Sequence, residues 1–543
     1  MRLKLCAKAA PASFLLVGNL FLFQPAFLYW GNQSFLTYNL GNILMWLLPG
    51  FLIALSLLLF LASSIPIRWQ RSYIAILTGI TFSMWIAALF SGDLGQLDGK
   101  QVVVSSDARS ILINAILLFC VIGLSAIIAY YHTKLTNYFL ILISVMFAFF
   151  TVWVIIAAHK STVNSWEKLE SELLAFSKDK NILLIVLDTF QSDFFQEILA
   201  KKTSLGSKFP GFIYFPDAVS AAGGTYLSIP TIHSGQVYKS GQPVASFYTE
   251  AVLQNSFVKA HVESGYRGMI LNPFLGYCPK GVVCGDDNDM YFKQQAVGLS
   301  EGVLLFKLSC FKSIPKFLQT FIYNHRARIL HAISTPRAVI SNNVLIVLAS
   351  SMNTSSSTPT VKFIHLFNTH PPAVFNEACK EVDSQIWDRH TAINQDRCAI
   401  SQVIKVIDSL KQRNVYDQTA IMIVADHGAG LPPPHGSILG VSANPLFLYK
   451  PFNATGALQV SNKLVGLVDV HATLCAMTRD CHRSSAYGYD VLGNALNNKR
   501  VFNFSLYTWM PELTYSTNKP CDVTDFQIIG APEKISSWHK ISV

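Results

Sequence analysis

Apolar residues fall into two contrasting patterns along the chain. Up to about residue 160 they form five long runs, at 12–30, 43–66, 72–91, 110–131 and 137–158, with no acidic or basic residue in the middle of any. Each run approaches the roughly 20 residues that an α-helix needs to cross a bilayer core. The pattern therefore predicts five membrane spans, rather than a cleaved leader ahead of a soluble domain. Beyond residue 160 the runs shorten to strand length. NILLIVLD (181–188), VKFIHLF (361–367), TAIMIVAD (419–426) and PLFLYK (445–450) are continuously apolar, as strands buried on both faces are. Residues 391–413 and 461–478 carry helical periodicity. Strands alternating with helices predict an α/β domain with a mostly parallel central sheet.

Between the two regions, 161–178 places Trp166, Leu169, Leu173 and Phe176 on one helical face. Such an amphipathic helix fits a membrane surface and docking on the following domain equally well. The expected division is a transmembrane domain over 1–160, a linker helix over 161–179 and an exported domain over 180–543. Loop charge sets the orientation. Arg2, Lys4, Lys8, Arg68, Arg71 and Lys134 share one side, whereas the opposite loops are uncharged or carry Asp93, Asp98 and Asp107. The positive-inside rule puts the N-terminus in the cytoplasm, and an odd number of spans puts the rest outside.

Cysteine usage agrees with export. Of ten cysteines, eight lie beyond the membrane region, which suggests disulfides in an oxidising compartment. Close spacing favours Cys278–Cys284, Cys379–Cys398 and Cys475–Cys481 and leaves Cys310 with Cys521 by elimination, a connectivity that the sequence alone does not fix. The net charge of +10 includes the cytoplasmic loops, and the basic stretch at 324–331 reads as a solvated helix face. No nucleic-acid-binding module is present, so nucleic acid is not an expected partner, and a monomer is expected.

In a parallel α/β sheet, reactive groups collect beyond the carboxyl ends of the strands. There the sequence places Asp188 after the first strand, His370 after the second and Asp426-His427-Gly428 after the third. Asp188, Asp426 and His427 offer two hard oxygens and an imidazole nitrogen. Zinc takes four such ligands, and three side chains leave a position at which a hydroxyl becomes easier to deprotonate. Thr225 is the candidate for it, in GGTYLSIPTIHSG (223–235), where Gly223 and Gly224 permit a tight turn. Manganese and magnesium are the alternative ions.

NILLIVLDTFQSDFF, TYLSIPTIHSG and IMIVADHG resemble the sulfatase-like branch of the alkaline phosphatase superfamily, over roughly residues 180 to 495, and LVGLVDVHATLCAM resembles a late helix of that branch. The resemblance implies that Thr225, ten residues before Gly235, occupies the nucleophile slot that sulfatases fill with an oxidisable cysteine. That cysteine is missing, and Ile229 replaces the arginine of the sulfatase motif, which counts against sulfate-ester hydrolysis. Thr225-Tyr-Leu-Ser228-Ile-Pro230 matches the T-x-x-S-[VI]-P motif of membrane phosphoethanolamine transferases. Phosphoglycerol transferases, including lipoteichoic acid synthases, share the arrangement. Both groups usually have glutamate where this chain has Asp188.

The resemblance further implies catalytic histidines at His370 and, on a looser match, His435. It implies a multi-pass protein of the bacterial inner membrane with its catalytic domain outside. The implied activity is metal-dependent transfer of a phosphoethanolamine or phosphoglycerol headgroup from a membrane phospholipid to an envelope lipid or glycan, through a phosphothreonine. A hydrolase using the same site and a catalytically inactive scaffold are the rival readings.

Overall fold

The computed structural model describes residues 2–31, 36, 39–90, 108–287, 299–315, 318–319, 336–478, 488–493, 500–507 and 518–541. It forms two compact units, Met1–Asn164 with Tyr291–Thr335, and Ser165–Met290 with Pro336–Val543. The basic stretch 324–331 lies outside the described residues.

The first unit is helical. A first apolar stretch combines α1 (Arg2–Gly18), a π-turn (Asn19–Phe23) and α2 (Gln24–Gly31). Then come α3 (Leu40–Ser64), α4 (Gln70–Phe90), α5 (Ala108–Tyr131) and α6 (Thr133–Leu174). Five segments, Ala7–Gly31, Leu40–Ser64, Ile67–Ala88, Leu112–Tyr131 and Thr133–Ala157, are long and apolar enough to cross a membrane. Leu52, Leu57 and Phe60 of α3, Phe119 of α5 and Phe149 of α6 are exposed, as side chains facing lipid are. Small residues let helices approach. A Cβ on Gly79 of α4 would come within 3.0 Å of the Ile122 carbonyl of α5.

One helix departs from the expected division. Leu299–Lys312 belongs to this unit, and its Leu304, Leu305, Leu308 and Phe311 pack with Ala26, Tyr29, Ile43 and Leu47. At 14 residues it is about 21 Å long, too short to span a core of about 30 Å. Its apolar run is therefore not readable as a membrane segment from length.

The second unit is built on an eight-stranded sheet. Its strands are β1 (Asn181–Leu187), β2 (Ile213–Tyr214), β3 (Arg267–Leu271), β4 (Val283–Gly285), β5 (Thr360–Leu366), β6 (Thr419–Val424), β7 (Phe447–Lys450) and β8 (Gln459–Val460). They are ordered β8-β2-β7-β6-β1-β5-β3-β4. Every central pairing is parallel except those made by β7, which runs antiparallel to β6 and β2. PLFLYK is thus a buried strand as expected, but of opposite direction. The helices that matter for the site are α7 (Ser192–Lys201), α8 (Thr225–Ser234), α9 (Arg337–Ser351), α10 (Arg389–Gln412) and α11 (Asp469–Ala476).

Alternate residues of each central strand enter opposite cores. Leu183, Ile185, Ile421 and Ile423 pack with Phe194 of α7, Leu345 of α9 and Val403 of α10. Ile182, Leu184, Met422 and Val424 pack with Ile229 of α8 and Leu474 of α11. Coverage of both faces is what makes these strands continuously apolar.

Leu169, Leu173 and Phe176, from the expected linker, are buried in the first of these cores. Gly285 admits Leu169, since a Cβ there would fall 2.5 Å from its Cδ2. The part of this face formed by Leu169, Leu173 and Phe176 therefore packs within the α/β unit, the Trp166 side chain lies outside the described residues, and Ala175–Ser177 adds a short parallel pairing with Asn353–Ser356. Disulfides join Cys278 to Cys284 and Cys379 to Cys398. The pair Cys475–Cys481 involves a residue outside the described set. Cys310 and Cys521 are free thiols, contrary to the pairing by elimination. Cys310 sits on the short helix of the first unit, whereas Cys521 is buried beside Tyr238, whose Oη accepts its N–H at 2.8 Å.

Lys362 of β5 is buried, donates to the Glu172 carbonyl near the end of α6 and lies 4.9 Å from the Phe176 ring centroid. Burial pushes its pKa down to about 7, against a partial upward pull from Glu172. The unfolded chain, with an ordinary lysine pKa near 10.4, holds this proton over a range where the folded chain releases it. Stability from this group therefore grows as pH rises from about 7 toward 10. The thermal midpoint of the detergent-solubilised protein should rise over that window, and Lys362→Met should flatten the rise.

Candidate metal centre

Strand register delivers the two aspartates to one point. Val424 pairs with Val186, and Asp426 and Asp188 each lie two residues further on. Both are buried, and they form with His427 a cluster whose ligand atoms lie within 4.8 Å of one another. Each carboxylate divides its oxygens. Asp426 Oδ1 accepts the backbone N–H of His427 at 2.9 Å and of Thr189 at 3.1 Å, leaving Oδ2 buried with no hydrogen-bond partner. Asp188 Oδ2 accepts from Thr225 Oγ1 at 3.2 Å and faces His365 Nε2 at 3.2 Å, leaving Oδ1 likewise without a partner.

His427 completes the arrangement. Its Nδ1 donates to the Gly428 carbonyl at 2.9 Å, which fixes the tautomer and leaves the Nε2 lone pair free. Nε2 lies 3.5 Å from Asp426 Oδ2, 3.9 Å from Asp188 Oδ1 and 3.5 Å from Thr225 Oγ1. Two buried carboxylate oxygens without hydrogen-bond partners and an imidazole lone pair form a setting that a cation would satisfy. With the Thr225 oxygen they make a four-donor N/O set that fits a divalent ion, zinc included.

Thr225 is the first residue of α8, and extended Gly224 (φ −175°) precedes it. A Cβ on Gly224 would fall 2.6 Å from Tyr507 Oη, the atom that accepts the Tyr226 N–H at 3.2 Å. Ser228 Oγ donates to the Ala222 carbonyl and Gly235 closes the helix with φ 75°. Ser228 and Gly235 of the motif thus shape the turn. The helix N-terminus adds positive potential where an anionic group would sit.

Burial by itself would raise the Asp188 carboxyl. The surrounding imidazoles, His370 ahead of His365 and His427, outweigh it and hold the pKa below the usual carboxylate range. For His427 burial pulls down, but Asp426 and Asp188 together push the pKa up, as a site built for positive charge does. The ends of β1 and β5 are braced across the site. Thr369 Oγ1 donates to the Asp188 carbonyl at 2.6 Å, and Thr189, at φ 65°, returns a bond to the Thr369 carbonyl at 2.8 Å.

The structure therefore brings Asp188, Thr225, Asp426 and His427 together and sets His370 within electrostatic reach. The His370 Nδ1 donates to the Pro371 carbonyl at 2.6 Å. His435 stands apart. It is exposed in the β6–β7 connection with φ 67°, and none of its described contacts joins it to the cluster. His365, inside β5, is buried and turns Nε2 to Asp188. The signal that could have found it is a histidine near the carboxyl end of an otherwise largely apolar strand, paired in register with Val186 just before Asp188.

Chelation should leave the two carboxylates facing one another uncompensated. The thermal midpoint of the full-length protein should fall by several degrees, the size of about 3–4 kcal/mol of binding linkage, and zinc should restore it. Gly428 has no room for a side chain, since a Cβ would lie 1.9 Å from the Val441 carbonyl. Gly428→Ala should cost about 1–3 kcal/mol in an unfolding measurement.

The sulfatase family profile matches residues 180–480. Similar solved structures include Ps i-CgsB in complex with k-i-k-neocarrahexaose, at 14% identity over 67% of this chain and 86% of that one, with a TM-score of 0.42. A phosphonate monoester hydrolase, SpPMH, from Silicibacter pomeroyi gives 12%, 67%, 88% and 0.41. The lipoteichoic acid synthase LtaP from Listeria monocytogenes gives 12%, 66%, 87% and 0.37. No curated protein matches the sequence. With more than half of its length matched by that profile, and an α/β unit of the corresponding kind, the chain belongs to the sulfatase family.

Proposed function

We propose that the protein transfers the headgroup of a membrane phospholipid, phosphoethanolamine or phosphoglycerol, to an envelope lipid or glycan through a phosphothreonine at Thr225. The observation that carries this reading is the place of the threonine hydroxyl. It lies at the start of α8, 3.2 Å from Asp188 Oδ2 and 3.5 Å from His427 Nε2, where the motif of sulfatases has an oxidisable cysteine. A divalent cation held by Asp188, Asp426, His427 and Thr225, zinc by the donor set, supplies charge that eases deprotonation of the hydroxyl and neutralises phosphoryl oxygens.

The chain's own groups account for the remaining steps. The Thr225 hydroxyl releases its proton to solvent as its oxygen attacks phosphorus, the bond to the diacylglycerol oxygen breaks, and His370 is assigned to protonate that leaving oxygen and then recover a proton from solvent. The N-terminal N–H groups of α8 favour the charge that builds on the phosphoryl group. An acceptor hydroxyl then attacks the phosphothreonine and regenerates Thr225. His435, exposed on the β6–β7 connection, is the candidate for the acceptor side. Five apolar helices keep the chain in the bilayer that holds the donor. The loop charges support a bacterial inner membrane with the α/β unit on its outer side.

Exposure of the full-length protein to labelled phosphatidylethanolamine or phosphatidylglycerol should leave a headgroup-phosphate adduct on Thr225, read by intact mass. The adduct mass names the donor. Thr225→Ala should carry no adduct and lose at least about 10³-fold in turnover. Free headgroup phosphate with no product on any acceptor would replace transfer by hydrolysis.

A further inference from the structure

Two tyrosine hydroxyls hold the start of α8, and they do so in opposite senses. Tyr248 Oη donates to the Tyr226 carbonyl at 2.7 Å, so its proton is spent. Tyr507 Oη instead accepts the Tyr226 N–H at 3.2 Å. That bond uses an oxygen lone pair and leaves the phenolic proton over, and among the described residues no acceptor takes it. A phenol carries one donor as well as its lone pairs, so this hydroxyl has a hydrogen bond still to give.

Position ties it to the reacting edge. The strand Val501–Tyr507 runs beside the segment ahead of the nucleophile, where the Ser505 N–H donates to the Ala221 carbonyl at 3.0 Å and the Gly223 N–H to the Ser505 carbonyl at 3.2 Å. From there the phenol reaches the N-terminus of α8, and a Cβ on Gly224 would fall 2.6 Å from Oη. Gly224 is extended, at φ −175° and ψ 166°, a conformation open to any residue. The phenol, rather than the backbone, is therefore what demands a glycine there. Tyr507 and Thr225 both keep some exposed surface, so this corner of the site is open to a ligand. Desolvation of the hydroxyl, and after it Cys521, Asp426 and Asp188, push its pKa well above that of an ordinary phenol, against a pull from the Tyr226 N–H. It stays a donor, within electrostatic reach of both ligand aspartates. A chain of N–H and O–H bonds is polarised along its length, so the phenol passes on the positive end of α8. A phosphoryl group carried on Thr225, the first residue of α8, sits at that same end.

We propose that the Tyr507 hydroxyl donates a hydrogen bond to one non-bridging oxygen of the phosphoryl group as that group passes to Thr225, and keeps its own proton throughout. The proposal rests on the phosphothreonine reading and adds to it a residue that touches the reacting group. It also gives the two non-bridging oxygens different partners, so the site tells them apart.

The test uses the full-length protein and the phospholipid that gives the Thr225 adduct, together with its two phosphorothioate diastereomers, in which sulfur replaces one or the other non-bridging oxygen. Tyr507→Phe keeps the ring and removes the hydroxyl alone. With the all-oxygen lipid, adduct formation on Thr225 should slow about 10- to 100-fold, the size of a hydrogen bond to a charged group, with little change in the half-saturating lipid concentration. Sulfur accepts hydrogen bonds poorly, so the loss should shrink below about threefold for one diastereomer and persist for the other. Other effects of sulfur act on both proteins alike and cancel in the ratio. Gly224→Ala, whose methyl displaces the phenol, should reproduce the same diastereomer-selective loss, and it carries the test where Tyr507→Phe does not fold. A hydroxyl that only shapes the turn would slow all three lipids equally. Equal losses across the three, or no loss at all, would overturn the proposal and leave the Thr225 reaction standing. Absence of any adduct on the unsubstituted protein would instead remove the phosphothreonine, and this proposal with it.

Discussion

Two buried carboxylates that share a point in space are the constraint around which the α/β unit is arranged. Parallel pairing of β1 and β6 in register places Asp188 and Asp426 at the same strand edge, and strands covered on both faces shut water out. Like charges so placed repel, and neither can shed its charge to solvent. The fold answers by giving each carboxylate one oxygen with fixed partners and one without. Backbone N–H groups of Thr189 and His427 hold Asp426, while Thr225 and His365 hold Asp188. What remains is a pocket of negative charge with the His427 imidazole beside it. Folding of this edge and binding of a cation are therefore one equilibrium rather than two.

Family membership fixes this geometry but leaves the chemistry to the residue at the start of α8. A threonine there needs no oxidation to become a nucleophile, and the turn that presents it is sterically specified. Tyr507 fills the space where Gly224 would otherwise carry a Cβ, and its hydroxyl accepts the Tyr226 N–H two residues on. A short polar side chain at a helix N-terminus, with an acceptor carboxylate already at its oxygen, suits attack on phosphorus.

Much of this was legible in the sequence because the central strands are buried on both faces. NILLIVLD and TAIMIVAD announce themselves as continuous apolar runs, and the rule that polar groups follow such strands points directly at Asp188 and Asp426-His427. The opposite direction of β7 was not legible, since apolar content carries no polarity of direction. The role of His365 was hidden by its setting: inside an apolar strand, an imidazole turned to the core and one turned to a carboxylate give the same pattern. The helix Leu299–Lys312 was missed because membrane spans are recognised by length, and it packs against its neighbours without spanning. Pairing Cys310 with Cys521 assumed that every exported cysteine is oxidised, and burial of a thiol among aromatic side chains removes that need.

The aspartate at 188, one methylene shorter than a glutamate, is consistent with the same logic. Its Oδ2 meets both Thr225 Oγ1 and His365 Nε2 at 3.2 Å, and His365 is fixed from behind by Asn272, whose Nδ2 donates to the His365 carbonyl at 2.7 Å. A longer side chain on the same backbone would drive its carboxylate into that pair or toward Asp426. The shorter arm is thus matched to a histidine standing in β5, and the two residues act as one unit: the imidazole sets where the carboxylate sits, and the carboxylate sets where the threonine hydroxyl points. Substituting glutamate at 188 without removing the imidazole at 365 would therefore strain the site.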